Sequence, residues 1–119
     1  MWQIDYDYIV SWLDALDALD AQSVAHIFAA LELLEREGPT LGRPLVDTIK
    51  GSVFGNMKEL RPASPGSAEI RILFAFDPGR RAVLLLGGNK AKGKTEKLSG
   101  RIGINKQYPK RMLCIVATL

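Results

Sequence analysis

Apolar residues in the first third of the chain recur every three or four positions. Ile9, Trp12, Leu13, Leu16 and Leu19 form one series; Val24, Ile27, Phe28, Leu31 and Leu34 form a second. Each spacing places its apolar side chains on one face of a helix. Asp5 or Asp7 can cap the first helix, and Asp20 or Ser23 can start the second, because a side-chain oxygen accepts from the free N–H groups of a first turn. Glu32, Glu35, Arg36 and Glu37 fall on the water side of the second series. Gly38-Pro39 ends it, since Gly takes the C′ position and Pro cannot continue a helix. The short link between the two series predicts an antiparallel helical hairpin.

The period then changes. Trp2 to Ile4 is a candidate short edge strand, and Pro39 to Ser52, with its Pro and Gly residues, reads as a loop. From Val53 the alternation approaches two. Met57, Glu59 and Arg61 share one side of a strand, and Lys58 and Leu60 share the other. Ile70, Ile72, Phe74 and Phe76 alternate with Arg71, Leu73 and Ala75 in a second strand. Asp77-Pro78-Gly79-Arg80 predicts a tight turn. Ala82 to Leu86 returns as an almost wholly apolar, central strand. The pattern predicts one α+β domain over residues 1–119, an antiparallel sheet with an N-terminal helical hairpin packed on one face. Lys90 to Lys97 has no apolar period, and Met112 to Leu119 reads as a strand or a helix end.

Composition narrows the function classes. With 119 residues, 47% of them hydrophobic, the chain can bury a single core. Its apolar runs are too short to span a membrane. The first residues lack the basic start and long apolar stretch of a secretion signal, so a cytoplasmic protein is expected. One cysteine, Cys114, and one histidine, His26, argue against an internal disulfide and against Cys-based or His-rich metal sites, and no cofactor is expected. The net charge of +3 conceals an asymmetry: residues 1–57 hold 3 basic and 9 acidic groups, and residues 58–119 hold 13 basic and 4 acidic ones. Eight of those basic groups lie between Lys90 and Arg111, opposed only by Glu96. One part of the surface should therefore attract phosphate. The acidic helices argue against a DNA-recognition helix, which needs basic or amide side chains at the groove.

No Ser-His-Asp set, carboxylate cluster or phosphate-binding P-loop is present, and Gly87-Gly88-Asn89-Lys90 is too short for a nucleotide fingerprint. The remaining candidates are cations on and beside the sheet. Arg71 stands out because it interrupts the apolar strand Ile70-Arg71-Ile72-Leu73-Phe74, where a charge needs a partner or a rim. It points away from the face of Ile70 and Ile72. A purely structural pairing with Glu59 or Glu69 is the competing account. Lys58 and Arg61 lie on opposite strand faces. Lys90 and Lys92 follow the last strand, at the kind of position where rigid scaffolds place working groups, although Lys90, Lys92, Lys94 and Lys97 could equally serve solubility. His26, Trp2, Trp12 and Cys114 read as structural or flanking residues.

Several stretches are distinctive together: Gly38 to Ser52, Asn56-Met57-Lys58-Glu59-Leu60-Arg61, Ile70-Arg71-Ile72-Leu73-Phe74-Ala75-Phe76-Asp77-Pro78 and Gly87-Gly88-Asn89-Lys90. In order and spacing they resemble the HigB-like, phage-derived branch of the RelE toxin superfamily, over residues 1 to about 92. The resemblance implies a RelE-like fold and the toxin role of a type II toxin–antitoxin system. Toxins of this kind are metal-independent endoribonucleases that cut mRNA, commonly on the ribosome, until a cognate antitoxin silences them. In this branch the antitoxin is often a HigA-like helix-turn-helix protein. Carried over by position, the catalytic set is Arg71, Lys90, Lys58 and Arg61, with Lys92 beside it; Lys92, Lys94, Lys97 and Arg101 of the basic stretch are expected as further RNA contacts.

Chemistry fits that set. RNA cleavage by its own 2′-hydroxyl needs a base for that hydroxyl, a donor for the leaving oxygen and positive charge on the phosphorane. Arg71 is assigned to the scissile phosphate, Lys58 or Lys90 to the base, Arg61 to the anion, and Glu59 to orienting Arg61 or Arg71. Residues 93–119 depart from the family pattern, which has an aromatic Trp-Tyr pair and an Ile-Pro segment where this chain reads Lys97 to Tyr108. Stacking on aromatics is one way to hold single-stranded RNA. Its loss leaves a second expectation open, a remnant that binds antitoxin or RNA without cutting. The acidic hairpin is one candidate antitoxin surface, and the basic face is the other.

Overall fold

The computed structural model describes residues 1–49, 57–63, 66 and 68–89. The sequence-predicted sites Lys90, Lys92, Lys94, Lys97 and Arg101 lie outside the described residues, as do Cys114 and Met112 to Leu119. Along the chain come β1 (Gln3–Asp5), a 3₁₀ turn (Asp7–Ile9), α1 (Val10–Leu19), α2 (Ala21–Glu37), a second 3₁₀ turn (Gly38–Thr40), β2 (Val46–Thr48), β3 (Lys58–Leu60), β4 (Ile70–Phe76) and β5 (Arg81–Asn89). The strands form one sheet in the order β1-β5-β4-β3-β2.

The helical hairpin forms as its caps direct. Asp20 is the N-cap of α2: its carboxylate accepts from the Ser23 backbone N–H at 3.1 Å and from the Ser23 hydroxyl at 2.6 Å. These bonds hold its carboxyl below the usual aspartate range, the hydroxyl contributing most and the backbone N–H next. Gly38 ends α2 at φ +58°, and a Cβ there would strike the Trp2 indole. Ile27, Leu31 and Leu34 of α2 and Ile9 and Leu13 pack onto Ile70, Ile72 and Phe74 of β4, Leu84 of β5 and Leu60 of β3. Trp12 lies so close over Gly87 that any side chain at Gly87 would overlap its ring.

The α+β architecture follows the sequence expectation, with four differences. The sheet is mixed, because β1 pairs with β5 in parallel. The chain leaves β1 through the two helices to β2 at the opposite edge and returns by β3 and β4, which brings β5 alongside β1. A strand, β2, arises inside the stretch that reads as loop; three residues with flanking Gly and Pro give too little alternation to signal it. Two apolar helix residues are not core: Leu19 is 88% exposed and Phe28 is 45% exposed. Finally, the sheet face away from the helices is not bare. Met57, Leu73, Ala75, Val83 and Leu85 form a second buried cluster there, with Tyr8, Ile49 and Leu86 against it.

One irregularity sets the geometry of that second face. Leu73 pairs with Leu86, yet its neighbour Phe74 pairs with Leu84, so Leu85 is an extra residue in β5. This β-bulge reverses the in–out alternation beyond it. Leu85 and Leu86 both join the outer cluster. Gly87 consequently turns under Trp12, and Gly88 stands opposite Arg71.

Candidate anion-binding site

Arg71 is carried by β4 on the face away from the helices. Its neighbour across β5 is Gly88, which has no side chain to compete for space. On the other side, β3 places Glu59 opposite Leu73, the next outward residue of β4. Arg61, two residues on from Glu59, shares that face, and Asp47 of β2 pairs with Glu59 there. Arg61, Glu59 and Arg71 are thus brought together as the strand alternation requires.

The ion pairs are unequal. Arg61 is gripped twice: its Nε donates to Glu59 Oε1 at 2.9 Å, and its Nη2 lies 3.3 Å from Asp47 Oδ2. Arg43 reaches the same Asp47 oxygen at 3.8 Å from an exposed position. Arg71 is held more loosely. Its Nη1 donates to the carbonyl of Ile70 at 2.8 Å, and its closest carboxylates, Glu59 and Glu69, are both at 3.9 Å. Those separations exceed hydrogen-bond length. Among the described residues the buried Nε of Arg71 therefore has no hydrogen-bond partner, while 18% of the side chain remains accessible. A buried unmet donor costs stability and marks a place where an anion would be welcome.

The pairing of Arg71 with Glu59 and Glu69 expected on the structural account is present, though without hydrogen bonds. Around Arg71 three arginines face three carboxylates, so the described part of the site is balanced rather than cationic. Lys58 is not part of it. It pairs with Phe74 and Thr48 on the helix-side face, and its Nζ lies 3.4 Å from the Thr48 hydroxyl. A base at Lys58 would work from the wrong side of the sheet. Lys90 lies outside the described residues, directly after Asn89, which pairs with Ile70 beside Arg71. Sequence reasoning singled out Arg61, Arg71 and Glu59, but not Asp47, whose strand it read as loop. Among the described residues, no three His, Cys, Asp or Glu side chains are grouped to hold a metal ion.

Comparison with known proteins gives the site a context. The family described as "Phage derived protein Gp49-like" matches residues 14–104. The chain belongs to that family. Two relatives come from Mycobacterium tuberculosis. One, named "Putative toxin HigB2", is 56% identical over 90 residues, which is 76% of this chain and 43% of the relative. The other, "Putative toxin HigB3", is 61% identical over 74 residues, 62% of each chain. This chain thus spans less than two thirds of the length of either relative. The phage-derived, HigB-like resemblance read from the Lys58 to Arg61 and Arg71 to Pro78 blocks agrees with these matches. The family match runs on to residue 104, past Lys97 and Arg101.

Proposed function

We propose that this protein is the toxin of a type II toxin–antitoxin system, a metal-independent endoribonuclease that cuts mRNA in the cytoplasm, on the ribosome, and is silenced by a cognate HigA-like antitoxin. Arg71 carries the reading: a buried, unmet guanidinium donor set beside a glycine, in a family whose relatives are named as toxins. Its planar fork fits a phosphate. In the reaction the 2′-oxygen forms a bond to the adjacent phosphorus and the 5′-oxygen leaves, giving a cyclic phosphate and a free 5′-hydroxyl. A base takes the proton of the 2′-hydroxyl, and a donor supplies one to the 5′-oxygen. Arg71 stabilises the phosphorane, and Lys90 is assigned the role of base. Arg61 spends its donors on Glu59 and Asp47, so its part is to hold Glu59 beside Arg71 rather than to bind RNA first.

The charge balance around Arg71 favours a specific competitor, a folded member that binds antitoxin without cutting. Primer extension on mRNA after induction separates the two. Discrete cuts that vanish in Arg71→Ala and Lys90→Ala, with both variants still folded, support the nuclease. Growth arrest and cutting retained in both variants refute the site, and no cuts from the native chain refute the activity. Arg71→Lys should lose at least tenfold in cutting rate, because an ammonium cannot replace the fork.

A further inference from the structure

The helical hairpin carries a surface that the nuclease reading does not use. Tyr6 and Phe28 are 41% and 45% exposed and meet edge to face, with ring centroids 6.4 Å apart. A recess lies on either side of this pair. The first, about 200 Å³, is lined by Val10 and Val24 and edged by Asp14 and Asp17. The second, about 210 Å³, is lined by Ile4 and Leu31 and edged by Glu32 and Glu35. Both recesses share the two aromatic rings. Among the described residues no basic side chain lines either one, and residues 1–37 hold eight acidic groups against one basic group, Arg36.

Exposed aromatics over paired apolar recesses are the anatomy of a recognition groove. Its acidic edge repels nucleic acid and anionic lipid. A two-fold contact with a second copy would set these carboxylates against themselves. We infer that the groove across Tyr6 and Phe28 receives a basic amphipathic segment of the antitoxin, one apolar side chain entering each recess and Lys or Arg side chains pairing with Asp14, Asp17, Glu32 and Glu35. The partner's identity rests on the toxin reading above; the groove and its charge do not. This surface lies on the helix side of the sheet, opposite Arg71, so an antitoxin can grip the toxin there whether or not it also covers the catalytic face.

The test uses the full chain co-expressed with its cognate antitoxin, sought as the product of the gene that adjoins its own. With p-benzoyl-phenylalanine in place of Phe28, irradiation should cross-link position 28 to a Lys/Arg-bearing peptide of that protein. Asp17→Lys with Glu32→Lys should weaken its binding at least tenfold while leaving the melting curve unchanged, since both side chains are exposed. Tyr6→Ala with Phe28→Ala should weaken it similarly. A cross-link to residues 90–119 of the same chain, to a second copy, or to nothing overturns the proposal, as does native-like affinity in both double variants. Growth arrest by the toxin alone is scored separately. If arrest is absent but the cross-link forms, the toxin reading fails and the groove stands; if arrest occurs without the cross-link, the groove fails alone.

Discussion

At the scale of single residues, two acids show how environment assigns a role. Asp20 and Glu59 are both carboxylates, yet one secures a helix and the other an arginine. Asp20 sits half-buried at the start of α2 with both oxygens committed to Ser23. Its carboxyl is held below the ordinary aspartate value in the folded chain. A depressed folded-state pKa stabilises the fold above the ordinary aspartate range, and that contribution disappears as pH falls through the depressed value. Asp20→Ala should therefore lower Tm at neutral pH, and the gap to the native chain should narrow in strong acid. Asp20→Asn keeps a neutral cap and should show the smaller loss at neutral pH. Thermal melts followed by circular dichroism across that pH range check both. Glu59 instead takes the Arg61 hydrogen bond at 2.9 Å, and the Arg71 Nε beside it is left without a hydrogen-bond partner among the described residues. Its position between two guanidinium groups is readable from the alternation of β3, but which of the two it bonds is not.

At the scale of elements, the β4–β5 hairpin is the frame on which Arg71 is mounted. Its turn is pinned by Asp77, which is buried. One carboxylate oxygen accepts from the backbone N–H groups of Gly79 and Arg81, both at 2.9 Å, and the other accepts from Arg81 Nε at 2.9 Å. Arg81 also lies 3.7 Å from Asp5, which ties the turn to edge strand β1. Arg80 at φ +62° stacks over Trp2, 4.9 Å from the ring centre. Removing a buried acceptor orphans its donors, so Asp77→Ala should cost about 1–3 kcal/mol of stability. Urea denaturation measures it; a loss under ~0.5 kcal/mol would mean the turn holds without its acid. The turn itself was legible as Asp-Pro-Gly-Arg. The bulge at Leu85 was not, because an unbroken apolar run conceals where the alternation slips.

At the scale of the whole molecule, charge is sorted. The acidic groups concentrate in the first half around the hairpin groove, and the basic excess follows Asn89 in the sequence. If those cations meet RNA, binding must release counterions and weaken with salt. The logarithm of affinity for a single-stranded RNA should fall linearly with the logarithm of salt concentration, and replacing Lys92, Lys94, Lys97 and Arg101 together by Ala should flatten that slope by about 3, at about 0.7 per contact for a single strand. Fluorescence anisotropy over a salt series reads the slope. An unaltered slope would remove these four residues from the RNA interface. No helix among the described residues is long and apolar enough to cross a membrane, in keeping with the short apolar runs of the sequence.

Sequence alone determined what depends on neighbours along the chain. Helical spacing, the Asp20 cap, the Gly38 stop, the Asp77 turn and the alternation of β3 and β4 are local matters of backbone geometry and side-chain period. The block resemblance added the family on the same local basis. Tertiary structure alone decided what depends on distant pairing. It set β1 parallel beside β5, made a strand of Val46–Thr48, and left Phe28 half outside the core because neither α1 nor the sheet covers it. It also inserted one extra residue in β5, and that single slip of register is why Gly88, rather than Gly87, stands opposite Arg71, leaving Gly87 to pass beneath Trp12.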